Sequence, residues 1–330
     1  MTDLDLDVVT GALSFTGRHI TRHLLASGRR VRTLTGTPDR DQDLASELEV
    51  VPYRFDDPVA LADSLRGATT LYNTYWIRFR HGAVTFDSAV ANSRALFAAA
   101  RRAGVQRIVH ISITNPSLSS RLPYFRGKAL VEQALVETGL PYAIVRPTVV
   151  FGPGDVMLNN IAWLLRHLPV FAVAGSGDYP VRPVHVDDVA RLCVEASASP
   201  NDATVVDAVG PETFTFVELV ELLRQTVGSR ARIVSLPTPL VGLLSRIIGV
   251  FVGDVLLTPQ ELQGLVHGLA STAGPATGEI SLSRWLADQD GTFGLDYASE
   301  LARHYDGGRA LWRPRSRTEL RHPSALPTRA

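Results

Sequence analysis

Apolar residues in this chain fall into short blocks that alternate with segments of helical period. Val8-Val9 runs into Thr10-Gly11 and then an amphipathic stretch from His19, which reads as a buried strand, a tight turn and a helix. Residues 30–35 form a second strand, closed by Thr35-Gly36-Thr37-Pro38. A third strand covers 49–55, and Asp56-Asp57-Pro58 caps a helix over 59–65. Residues 71–76 end a fourth strand, a long helix spans 84–103, and a fifth strand covers 107–112. Residues 113–123 read as a loop with Ser119 or Ser120 as the cap of the next helix. A sixth strand is predicted over 142–150, a helix over 157–168, an extended return over 182–185 and a helix starting at Asp187-Asp188. A strand over 204–209, a helix over 215–227 capped by Thr215 and Glu218, and closing helices over 282–286 and 296–304 complete the pattern.

Strands that alternate with helices predict an α/β fold, a doubly wound parallel sheet of Rossmann type with a small C-terminal lobe. Residues 1–150 would form the nucleotide-binding core and 151–182 an excursion into the lobe. Residues 183–210 would return to the core and 211–305 would build the lobe. From 306 to 330 the chain loses its apolar period and reads as a loose tail. The apolar stretch 240–257 is broken by Arg246, Asp254 and three glycines, so it reads as a core or lid helix pair rather than a membrane span. A membrane-surface or partner-docking role is its alternative reading.

Composition narrows the function. The 330 residues are 45% hydrophobic and 20% charged with a formal net charge of +0, which argues against a nucleic-acid binder or a polybasic membrane patch. Cys193 is the only cysteine, so neither an intrachain disulfide nor a cysteine metal cluster is expected, and no metal site is predicted. The acidic start lacks the basic region of a secretory signal, and the cytoplasm is the default location. A monomer or a homodimer fits equally well.

Two stretches carry chemistry. Gly11 and Gly17 match the outer glycines of a GxxGxxG turn, with Ser14 at the middle position. Such glycines let the backbone approach a pyrophosphate at a helix N-terminus. No acidic residue ends the second strand to bind a ribose 2′-OH, whereas Arg18 and Arg40 could face a 2′-phosphate. NADP(H) is therefore preferred, with NAD(H) possible. The second stretch is Tyr124-Phe125-Arg126-Gly127-Lys128. Lysine and arginine together number 33, and Lys128 is the sole lysine. Four residues apart on a helix, Tyr124 and Lys128 share a face, where an ammonium can lower a phenol's pKa for acid–base work. The plainer reading pairs Lys128 with Glu132. Ser112 at a strand end can converge with Tyr124 on one carbonyl oxygen, and Thr114 is the rival hydroxyl. Tyr75 and Trp76, past the fourth strand, would wall a substrate pocket. His185 reads as an anchor of the lobe junction rather than a base.

With these motifs in order, the chain resembles a short-chain dehydrogenase/reductase of the extended or atypical branch, the NAD-dependent epimerase/dehydratase type. The resemblance rests on Thr10–Arg18, Ser112, Tyr124 with Lys128, Arg146 to Asp155, and Pro183 to Ala190, and runs from Val8 to about Tyr305. Asn73-Thr74-Tyr75-Trp76 and Ser112-Ile113-Thr114-Asn115-Pro116 are similar to bacterial relatives of the nucleotide-binding accessory subunit of respiratory complex I. The resemblance implies a cofactor lined by Thr10, Gly11, Ser14, Phe15, Thr16, Gly17, Arg18, Thr35, Arg40, Phe55, Thr74, Lys128, Pro147 and Val149. It implies catalysis by Ser112, Tyr124 and Lys128 on a small carbonyl or alcohol, with Tyr75, Trp76, Thr114 and Asn115 around the substrate. Reduction, epimerisation and dehydration all remain open. So does a redox sensor or assembly subunit without chemistry. Two departures stand out: Ser14 where glycine is usual, and Arg54 where an adenine-binding aspartate is often found.

Overall fold

The computed structural model describes residues 5–289 and 291–304. The expected tail at 306–330 lies outside them. A seven-stranded sheet forms the centre, built from β1 (Leu6–Thr10), β2 (Arg30–Thr35), β3 (Glu49–Pro52), β4 (Ala68–Asn73), β5 (Arg107–Ile111), β6 (Tyr142–Pro147) and β11 (Ala203–Ala208). Its order is β11-β6-β5-β4-β1-β2-β3 and every pairing is parallel. The strand order reverses between β1 and β4, which opens a crevice at their carboxyl ends.

Both faces of the sheet are covered, as parallel sheets require. On one face α1 (Phe15–Ala26) packs on α7 (Val186–Ser197) through Ile20, Leu24, Val189 and Cys193. The other face carries α3 (Pro58–Asp63), α4 (Phe86–Ala103) and α5 (Pro123–Val136), with Leu61, Leu96, Phe97, Val131 and Leu135 buried. Between β2 and β3 in the chain, α2 (Gln42–Ser46) is a single short turn capped by Asp41. Helix α4 starts in a reciprocal Thr85/Ser88 cap and ends at Gly104 with φ 79°, a C-terminal position that favours glycine.

The sixth strand predicted over 142–150 divides in two. Pro147 ends β6, and the Thr148 hydroxyl donates to the Arg182 carbonyl, turning the chain out of the sheet. Val150–Phe151 then forms β7, paired with β10 (Val184–His185). Beyond this junction lies the lobe, with α6 (Met157–His167), β8 (Val170–Ala174), β9 (Pro180–Val181), β12 (Phe214–Thr215), α8 (Phe216–Thr226) and β13 (Arg232–Leu236). The pairs β8–β13 and β9–β12 are short and were not legible in the apolar pattern. Phe151, Leu158, Leu165, Leu219 and Leu223 fill the lobe's own core.

The 240–257 stretch forms one helix, not a pair: α9 (Thr238–Val252) stops at Gly253, φ 65°. Next come α10 (Pro259–Val266), α11 (Leu282–Ala287) and α12 (Glu300–His304). Among the described residues no helix is long and apolar enough to cross a membrane.

Candidate functional site

The crevice between β1 and β4 is fixed by the Thr10 hydroxyl. It donates to Asn73 Oδ1 at 3.1 Å and accepts from the Thr74 and Tyr75 amides at 2.8 and 3.1 Å. The Thr74 hydroxyl returns the bond to the Thr10 carbonyl. Thr10 and Thr74 thus lace the two strand ends together. Gly11 turns at φ 65°, and its carbonyl accepts from the Ser14 amide at 2.8 Å. Helix α1 begins here, its first-turn amides open for lack of intrahelical acceptors. A Cβ on Gly17 would lie 2.1 Å from the Gly11 carbonyl oxygen, so the helix meets the turn with no space for a side chain. Ser14 stands at the N-cap without a side-chain cap bond, which leaves its hydroxyl facing the turn, 3.3 Å from an ideal Cβ on Gly11. Phe15 packs edge-on to His19, whose Nδ1 meets Asp187 at 2.5 Å and ties α1 to the start of α7.

A basic cluster borders this turn. Burial pushes the Arg18 and Arg40 guanidinium pKa values down, and each is lowered further by Arg303; Arg18 also acts on Arg40. Opposing charges come from Asp41 at Arg18 and from Glu300 at Arg40. Arg40 Nη2 is buried and has no hydrogen-bond partner among the described residues. Arg303 reaches over from α12 and donates to the Gly154 carbonyl at 2.7 Å. Like charges gathered with an unused donor fit an anionic ligand. The pattern of the closing helix gave no hint of Arg303, because its partners are more than a hundred residues away in sequence. Thr35 accepts from the Thr37 amide and so shapes the turn after β2. Phe55 stacks on Tyr53 at 4.9 Å and leans on Tyr75 at 5.0 Å; Tyr75 in turn accepts from Asn92.

Helix α5 is capped two residues past the later of the two expected serine caps. Leu122 is its N-cap and Pro123 its first residue, where a proline's missing N–H costs nothing, while the Ser120 hydroxyl accepts from the Leu122 amide. Tyr124, Gly127 and Lys128 face one way, as expected for this spacing. Between them lies Trp76. The Lys128 ammonium sits 4.8 Å from the indole centroid and donates to the Ile111 carbonyl at 2.9 Å. Tyr124 meets the same indole edge-on at 6.0 Å. A Cβ on Gly127 would lie 2.8 Å from Trp76 Cη2, so glycine is what admits the indole.

The electrostatics of this pair run opposite to the sequence expectation. Burial pushes Lys128 down from 10.5 to about 7, with Glu132 opposing. Tyr124 is pushed up, first by burial and then by the carboxylates of Glu261 and Glu300, with Arg78 opposing. No lowering of the phenol by Lys128 is found. Glu132 does not bond Lys128 either, because both its oxygens take the Arg146 guanidinium, at 2.9 and 2.5 Å. Arg78 and Glu261 form a second pair at 2.6 Å that sequence reasoning missed, bridging the end of β4 to α10.

Ser112 is buried at the end of β5, and its hydroxyl has no partner among the described residues. Thr114 is buried too, its amide donating to the Pro147 carbonyl at 3.0 Å. Asn115 takes a left-handed φ of 55°, and its amide nitrogen donates to the Leu269 and Ser271 carbonyls. It pins a lobe loop to the core rather than offering its amide to a pocket. Val149 accepts from the Val184 amide and packs toward the lobe core. His185 caps α7, Nδ1 accepting from the Asp187 amide at 3.2 Å, with its ring against Phe151 and Trp285. That placement is the junction anchor expected of it.

Residues 11–200 match the family model described as NAD(P)H-binding. The chain belongs to this NAD(P)H-binding family. Among relatives, it is 28% identical over 243 residues to NADH dehydrogenase [ubiquinone] 1 alpha subcomplex subunit 9, mitochondrial, of Arabidopsis thaliana, covering 70% of this chain and 60% of that one. It is 30% identical over 241 residues to the ceramide reductase of Caulobacter vibrioides, covering 70% of this chain and 73% of that one. Several mitochondrial relatives are thus spanned for less than two thirds of their length. Among solved structures, the Citrobacter triphenylmethane reductase with NADP(H) superposes with a TM-score of 0.70 at 18% identity, covering 85% of this chain and 98% of that one. The shared fold is the NAD(P)H-binding Rossmann sheet seen here.

Proposed function

We propose that this NAD(P)H-binding protein is an NADP(H)-dependent oxidoreductase acting on a small carbonyl or alcohol. The observation that carries the dinucleotide preference is the unpartnered Arg40 Nη2 inside the Arg18–Arg40–Arg303 cluster. The cradle suits a dinucleotide on structural grounds, since Gly17 admits no side chain and the first turn of α1 offers open amides. Gly11, Ser14, Phe15, Thr16 and Gly17 would hold the pyrophosphate, and Arg18 and Arg40 the 2′-phosphate. Phe55 and Thr74 would border the adenosine half, and Pro147 and Val149 the nicotinamide half. The bound cofactor would supply or accept the hydride.

The chain's own part is proton handling and positioning. Ser112, with its free buried hydroxyl, would steady the substrate oxygen. Tyr124 would move the proton, and its raised pKa keeps the phenol protonated at neutral pH. Lys128 would hold the ribose once the Trp76 indole moves aside. The ceramide reductase relative supports this reading. Tyr124→Phe should lower turnover at least ~100-fold with unchanged NADPH affinity. Unchanged turnover removes Tyr124 from the mechanism. Arg40→Ala should weaken NADPH at least ~10-fold while leaving NADH alone, read by calorimetric titration.

A second reading, a dinucleotide-binding subunit or sensor without chemistry, is favoured by one observation: the indole that covers Lys128. The mitochondrial relatives are named as subunits of a larger complex, which also supports it. NADPH binding with no turnover across a panel of carbonyls, in wild type and in Trp76→Ala alike, would select this second reading.

A further inference from the structure

We propose that α9 docks this protein onto an anionic lipid surface. The helix carries two stripes. Val241, Ser245, Gly249 and Val252 are buried against the lobe. Leu240, Leu243, Ile247, Val250 and Phe251 point outward, between 41% and 63% exposed. These outward positions recur at three- and four-residue steps, so they form one continuous apolar face. Scattered single apolar residues on a surface need no explanation, but five on one helix do.

The chemistry of the helix selects its occupant. Its sequence, TPLVGLLSRIIGVFV, holds one charged residue, Arg246, and no acid. Apolar side chains with a basic residue among them suit the boundary between acyl chains and anionic headgroups. At 15 residues the helix is about 22 Å long, short of the ~30 Å hydrocarbon core, so it lies in the interface and does not cross. A second copy of the chain fits less well. Stable interfaces use about 20–30 residues a side, and this face supplies five side chains from one helix.

A neighbouring feature gives the docking a use. Where α9 begins, a cleft of about 590 Å³ is lined by Arg121, Leu122, Thr238, Val266, His267 and Leu269. Leu122 is the N-cap of the helix that carries Tyr124. Docking through α9 would set this mostly apolar cleft, with Arg121 at its wall, against the headgroup layer. The inference does not depend on the oxidoreductase reading.

The test is flotation of the full chain with vesicles of phosphatidylcholine alone and of phosphatidylcholine with phosphatidylglycerol. Wild type should float with the anionic vesicles, and Leu243→Glu/Ile247→Glu should partition at least ~10-fold less with an unchanged circular-dichroism spectrum and melting midpoint. A second variant guards against a folding artefact. Leu243→Cys, labelled with an environment-sensitive dye (Cys193 is buried and stays unlabelled), should shift its emission to the blue on anionic vesicles. Wild type that stays at the bottom of the gradient overturns the proposal, as does flotation that survives the double substitution. So does a dimer in light scattering that the double substitution converts to monomer, because the face would then belong to a second copy.

Discussion

The glycine turn and the Tyr124–Lys128 face of α5 stand at neighbouring strand ends, yet they are built from different material. The turn is backbone. Its shape is set by amides, carbonyls and the Thr10 hydroxyl, and its closeness by the missing side chain of Gly17. The α5 face is side chain. An indole from 48 positions earlier in the chain fills the space between phenol and ammonium. A site made of backbone has one arrangement. A site made of side chains has as many arrangements as its rotamers allow, and only some of them do chemistry.

Substitutions separate the two. Gly17→Val should be the most damaging change, since its Cβ would meet the Gly11 carbonyl at 2.1 Å. A loss of more than ~4 kcal/mol is expected in chemical denaturation, with dinucleotide binding abolished. A stable, cofactor-binding Gly17→Val would mean that the turn is softer than its geometry implies.

On the α5 face, Lys128→Met should act in the opposite sense. The folded protein gives up the Lys128 proton near pH 7, whereas the unfolded chain holds it to about 10.5. Between those values the unfolded state binds more protons, so wild-type stability rises with pH across the window; below pH 7 the full cost of burying the ammonium is present. Measured against Lys128→Met, wild type should gain on the order of 2–4 kcal/mol from pH 7 to pH 10. Parallel stability curves would show that Lys128 is not buried as described.

The smallest effect is expected at the lobe contact. Asn115 pays for its left-handed backbone with two bonds to the 269–271 loop. Asn115→Ala should be about 1 kcal/mol less stable than Asn115→Gly, because only glycine relaxes that backbone. Equal midpoints for the two variants would move the strain elsewhere.

This contrast explains what could be read along the chain. The second strand, at 30–35, matches its predicted bounds, and the glycine turn stands where its spacing placed it, because both depend on local pattern. The shared direction of Tyr124 and Lys128 was equally local. What lies between them was not, since nothing near position 76 tells which helix its indole will meet. The same holds for Arg78 with Glu261 and for Arg303 with Gly154, pairs joined only by the fold. The 240–257 stretch misled for another reason. Nearly every position is apolar, so the sequence carries no contrast to show which side faces out.

Position 127 accepts nothing larger than hydrogen while Trp76 lies against it. One methyl group there would act as a wedge, prising the ring off the ammonium from behind without altering either partner. Gly127→Ala is thus a chemical crowbar held in reserve by the helix itself, and the fluorescence of the displaced tryptophan would report whether the hidden cation can be uncovered.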